Sequence, residues 1–126
     1  MSDKPYRILI TGSRDWRDQQ TVYGALADLI RPLPVDQEII IVNGACPTGA
    51  DHMAHEWARG YGAVIESHPA NWVKHGRAAG PRRNAEMVAL GADVCLAFIR
   101  NGSPGATHCA ALAERTGIPI CRFTAT

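Results

Sequence analysis

Residues 7–14, Arg7-Ile8-Leu9-Ile10-Thr11-Gly12-Ser13-Arg14, run through a short apolar stretch into a glycine, a hydroxyl and a cation. A stretch with so few polar positions suits a strand buried on both faces, as in a parallel sheet covered by helices. Working outward, residues 38–42 (EIIIV) and 94–99 (VCLAFI) repeat the composition, and residues 63–66 and 118–123 are weaker strands of the same kind. The stretches between them have helical character at residues 19–30, 50–59, 82–90 and 107–115. In the first of these, Val22, Leu26, Leu29 and Ile30 recur at three- and four-residue spacing and give the helix one buried face. Strand and helix therefore alternate along the chain, which predicts an α/β fold with a right-handed parallel sheet.

The 126 residues suffice for one domain, residues 1–126, and leave no room for a second core. A net charge of +1 supplies no overall field that would draw in nucleic acid or an acidic membrane, so a nucleic-acid role needs a local patch. The first six residues lack the apolar segment of an export signal, and no run reaches membrane-spanning length. A cytoplasmic protein with no membrane contact is expected. Cys46, Cys95, Cys109 and Cys121 have no metal-type spacing and are expected as free thiols.

Four glycine-bearing turns carry the chemistry, each where an apolar run gives way to polar residues. On the carboxyl edge of a parallel sheet such loops meet in one crevice, with backbone N–H groups turned toward a common anion. Gly12, Ser13 and Arg14 offer a tight turn, a hydroxyl and a guanidinium fork suited to phosphate or carboxylate. In the second loop Gly44 and Gly49 flank Thr48, an expected helix N-cap, and Asp51, an expected capping-box partner or acceptor for a ribose hydroxyl. Gly80, Arg82, Arg83 and Asn84 form a third segment, with Pro81 expected at the first helical position and two cations opposing the helix dipole unless an anion is near. Upstream, Trp72, Lys74, His75 and Arg77 make the longest loop aromatic and basic. Gly102, Ser103, Gly105 and Thr107 form the fourth loop, again ahead of a helix.

The order of strand-GSRDW, strand-NGACPTGAD, GPRRNAEM and NGSPGATHCAALA resembles the YspA-type, cpYpsA-related branch of the SLOG superfamily, over residues 7–120. That superfamily includes the DprA/SMF DNA-processing proteins and the LOG phosphoribohydrolases. The resemblance implies a Rossmann-like three-layer sandwich with a mainly parallel sheet of about five strands, a site for nucleotides or nucleotide-derived ligands, and pairing into a homodimer. It also permits comparison with LOG enzymes, which cleave an N-glycosidic bond with an arginine in an R-K-x-x-M-like segment and a glutamate in P-G-G-x-G-T-x-x-E. Arg83 with Met87 matches the first segment. In the second, Ala110 stands three residues after Thr107, where the glutamate is needed, and alanine can neither stabilise an oxocarbenium-like centre nor activate water.

Three functions follow. The favoured one is a module that binds a nucleotide-derived phosphorylated small molecule, as sensor or processor, with no metal and no cofactor. The second is a nucleoside-phosphate hydrolase in which Arg83 and Asp51 are catalytic, Asp51 replacing the missing glutamate. The third is a DNA-associated protein that uses Trp72, Arg77, Arg82 and Arg83 for stacking and phosphate contact. Asp51, His52, His55 and Glu56 have the i,i+4 spacing of metal ligands, but helix-surface pairs of that kind are far commoner. Adjacent residues on a helix point apart, so His108 and Cys109 do not form a nucleophile pair.

Overall fold

The computed structural model describes residues 4–126, so the first three of the six N-terminal residues read above lie outside the described residues. Five strands form one all-parallel sheet in the order β3-β2-β1-β4-β5: β1 Tyr6–Gly12, β2 Ile39–Asn43, β3 Val64–Ser67, β4 Val94–Arg100 and β5 Ile120–Ala125. The expected Rossmann-like α/β architecture is present. β1 is central, pairing Ile8 with Ile41 on one side and with Val94 on the other. The strand order reverses between β1 and β4, and in open α/β sheets ligands bind outside the carboxyl ends of the strands at that point.

Alternation along the strands divides the core in two. Ile8 and Ile10 of β1, with Leu96 and Phe98 of β4, meet helix α1 (Gln19–Ile30) through Val22 and Leu26, and helix α2 (Gly49–Tyr61) through Ala50, Ala54 and Ala58. Leu9 and Cys95 point to the opposite face, against Met87 and Val88 of α4 (Ala79–Leu90) and Cys109 and Ala113 of α5 (Pro104–Thr116). The row of alanines lets α2 lie close to the sheet. Closest approach is at the end of β1, where a Cβ on Gly12 would overlap the Ala50 side chain.

The segment expected as a long loop is largely helical. Asn71 caps a single turn, α3 (Trp72–His75), by accepting from the Lys74 N–H at 3.0 Å, and a 3₁₀ turn over Gly76–Ala78 leads straight into α4. The helix is thus under way before Pro81, which occupies its third position rather than its first, and Arg82 and Arg83 follow in the second turn. Similarly, α5 starts at Pro104, three residues before Thr107, because Pro104 takes the first helical position, where a missing N–H costs nothing. Among the described residues no helix is long and apolar enough to cross a membrane. The four cysteines are free, with Cys95 and Cys109 buried and Cys121 exposed.

Gly49 seats α2 on the loop after β1. It holds φ +72°, and a Cβ there would overlap the carbonyl of Ser13. Gly49→Ala is expected to destabilise the fold by more than the roughly 1–3 kcal/mol that left-handed backbone costs an ordinary residue. Gly60, with open space around its Cβ position in the same helix, is the control. Gly60→Ala is expected to stabilise by about 0.5–1 kcal/mol, both effects being read by urea denaturation.

Candidate functional site

The loops after β1, β2 and β4 and the starts of α4 and α5 enclose a cavity of about 1150 Å³. That is slightly above the roughly 300–1,000 Å³ typical of small-molecule sites. Of the residues selected from sequence, Gly12, Arg14, Gly44, Thr48, Asp51, Gly80, Arg83, Asn84, Ser103 and Gly105 line it. Ser13, Gly49, Arg82, Gly102 and Thr107 do not. Ser13 is buried, its Oγ accepting from the Arg100 N–H at 2.8 Å while its own N–H donates to the Phe98 carbonyl at 2.9 Å. It therefore fastens the first loop to β4. Gly49 is spent on the Ser13 contact, Arg82 and Thr107 are exposed, and Gly102 follows Asn101 through a turn in which both residues are left-handed.

The loop after β2 is held by its own side chains. Asn43 Oδ1 accepts from the Ala45 N–H at 2.9 Å, and Ala45 sits at φ +60°, an unusual conformation for a residue with a Cβ. Asp51 accepts from the N–H groups of Gly44 (3.0 Å) and Cys46 (3.4 Å) through a single oxygen. The expected capping box is absent: Thr48 occupies the N-cap position without a side-chain bond, since Asp51 turns to buried donors of the loop instead. Burial pushes the Asp51 carboxyl up to about 6, against the opposing pull of the Cys46 N–H, the Arg83 charge and the Gly44 N–H.

Arg83 closes this loop from the far side. Its Nη1 donates to the Gly44 carbonyl at 2.6 Å and its Nε to Asn84 Oδ1 at 2.9 Å, and the guanidinium occupies the space a side chain at position 44 would need. Asn84, almost fully buried, passes the connection to α5: its Nδ2 donates to the Gly105 carbonyl at 3.3 Å and lies 3.3 Å from His108 Nδ1. Donation to Nδ1 leaves the proton of a neutral imidazole on Nε2.

Sequence reasoning missed His108, Arg100, Asp15 and Asn101 as cavity residues. His108 stands four positions after Pro104, and that i,i+4 spacing was the available signal for placing it on the face of the helix start. Arg100 donates to the Asp15 carbonyl at 3.0 Å, bracing β4 against the first loop. At the mouth, the Arg14 guanidinium lies 5.8 Å from the centre of the Trp72 ring. Ala110 is buried in the core beneath α5, and Glu114 points outward to pair with Arg122 at 3.2 Å. Neither brings a carboxylate to the cavity. Cys109 is core while His108 faces the cavity, so the two diverge. Among the described residues no group of three or more His, Cys, Asp or Glu side chains is placed to hold a metal.

The raised Asp51 carboxyl predicts a pH dependence of stability. A native value of about 6 against 3.8 means the folded state holds a proton that the unfolded state releases, so stability falls as pH rises from about 4 through 6. Between pH 5 and pH 7 the parent should lose about 1 kcal/mol that Asp51→Asn does not lose, measured by urea denaturation. Asparagine can keep the single accepting oxygen, so the variant should fold.

The family model for YspA, cpYpsA-related SLOG proteins matches residues 6–75. The Gene 61 protein of Mycobacterium phage D29 is 45% identical over 122 residues, covering 93% of this chain and 95% of that protein. Among solved structures, the Moco carrier protein from Chlamydomonas reinhardtii has a similar fold, with a TM-score of 0.63 and 16% identity over 98% of this chain and 78% of that one. With the match running from the start of β1 into α3, and the phage protein similar from end to end, this chain belongs to the YspA, cpYpsA-related SLOG family.

Proposed function

We propose that the cavity binds a nucleotide or nucleotide-derived phosphorylated ligand. The observation that carries the proposal is the start of α5. Ser103, Pro104, Gly105 and Ala106 line the cavity, and Ser103 at the N-cap makes no side-chain bond to the helix. Pro104 has no N–H and the Ser103 N–H donates to the Arg100 carbonyl at 3.2 Å, so the N–H groups of Gly105 and Ala106 are the ones in the first turn without an intrahelical acceptor, and with the helix dipole they favour an anion. α1, whose start lies away from the cavity, is capped by Asp18, which accepts from the Thr21 N–H at 3.1 Å. Arg14 adds a cation on the opposite rim. The similarity to a protein named for carrying Moco supports a carrier or sensor of a small molecule.

Asp51 and Ala110 favour binding over hydrolysis. Asp51 is 7% exposed with its accepting oxygen committed to two backbone donors, and position 110 supplies no second carboxylate. Incubation with nucleoside monophosphates should release no free base by chromatography. Base released by the parent and not by Asp51→Asn would establish the hydrolase instead. A homodimer in the cytoplasm completes the proposal, and a light-scattering mass of 13.6 kDa at high concentration would count against the dimer.

Gly105→Asp tests the anion site directly. Nothing lies within 4 Å of the Cβ position, so the side chain fits, and a carboxylate in the first turn of a helix stabilises it by about 0.3–1 kcal/mol. The same charge repels a bound phosphate. The variant is expected to melt no lower than the parent while losing at least about tenfold in affinity for pyrophosphate and ADP by calorimetry, roughly the effect of one charge-assisted contact. Unchanged affinity would overturn the anion site.

A further inference from the structure

Trp72 is half exposed although it is the largest apolar side chain at the mouth of the cavity. The element that carries it serves little else. α3 is one turn long, Val73 beside it is fully exposed, and no residue of the helix is buried. Asn71 at the cap fixes the turn, and the far edge of the indole reaches α4, where a Cβ on Gly80 would touch it at 3.4 Å. The ring is therefore positioned while half of its surface stays exposed. Arg14 lies over it at cation–π distance, and Arg14 belongs to the loop after β1 on the other side of the opening.

We infer that the Trp72 indole is a subsite for a flat heteroaromatic ring, so that the ligand is a nucleobase-bearing phosphate rather than a sugar phosphate or pyrophosphate alone. The inference rests on the phosphate site at α5. In the free protein the Arg14 guanidinium covers the indole. An incoming base takes that place, because stacking on an aromatic face suits any base and excludes more water than a guanidinium does. Arg14, displaced but still at the rim, becomes available to the phosphate side of the ligand. Phosphate at the helix start and base at the indole would then hold the two ends of one molecule.

The test measures AMP, GMP, CMP, UMP and ribose 5-phosphate against the full-length protein and its Trp72→Ala and Trp72→Phe variants by calorimetry, with tryptophan fluorescence alongside. At least one nucleotide is expected to bind more tightly than ribose 5-phosphate. Trp72→Ala should weaken that nucleotide roughly 5- to 150-fold, toward the sugar phosphate, and leave ribose 5-phosphate unchanged. Trp72→Phe should restore most of the loss, which a merely misfolded variant could not do. Nucleotide should also quench the parent's fluorescence more than that of Trp72→Phe. Equal binding of nucleotides and ribose 5-phosphate, with no effect of Trp72→Ala, would overturn the ring subsite and leave the phosphate site standing. Binding of none of them would overturn both.

Discussion

The approach of α2 to the end of β1 is the constraint on which the site depends. Gly12 allows contact because it has no Cβ, Ala50 because its side chain is a single methyl, and Gly49 because at φ +72° it has no Cβ to meet the Ser13 carbonyl. Were any of the three larger, α2 would be held off the sheet and the loop after β2 would be drawn away with it. Ala54 and Ala58 extend the contact down the helix, so packing along its length sets the position of its first turn.

At the cavity, polar groups divide into those already used and those left open. The loop after β2 is used up: Asp51 takes two of its N–H groups, Asn43 a third, and Arg83 the Gly44 carbonyl. Arg83 was the natural candidate for a phosphate contact from sequence, yet two of its donors hold protein atoms, and it acts first as a brace between α4 and that loop. At the start of α5 the Ser103 hydroxyl makes no bond to its helix, and the Arg14 guanidinium rests against the Trp72 ring. In the proposed binding mode recognition falls to these groups, while the braced loop forms a wall of the cavity.

The architecture was legible because β1, β2 and β4 lack polar alternation and α1 shows a clean apolar face, so burial on two sides and on one side could each be read from residue type. Helix starts were less legible. Nothing periodic marks a one-turn helix such as α3, and its cap, Asn71, is also a common loop residue. Ser13 shows a further limit. A hydroxyl at a strand mouth can meet a ligand or a backbone N–H, and here its partner, Arg100, lies 87 positions along the chain. The placement of Asp51 was likewise ambiguous, because an acidic residue in a first turn serves equally well as a cap or as a ligand for the loop before it.

The central position of β1 also sets the order in which the chain can be completed on the ribosome. β1 is the first strand made, yet its second edge is filled by β4, which begins at Val94, and Arg7 waits for the Asp93 carboxylate to receive its N–H at 2.8 Å. A nascent chain ending at residue 75 would carry β1, β2 and β3 with one side of β1 bare, an open template for pairing with another chain. Long-range parallel pairing of this kind is slow relative to local contacts. The cavity, which needs the ends of both β1 and β4, cannot exist until the start of α5 has emerged.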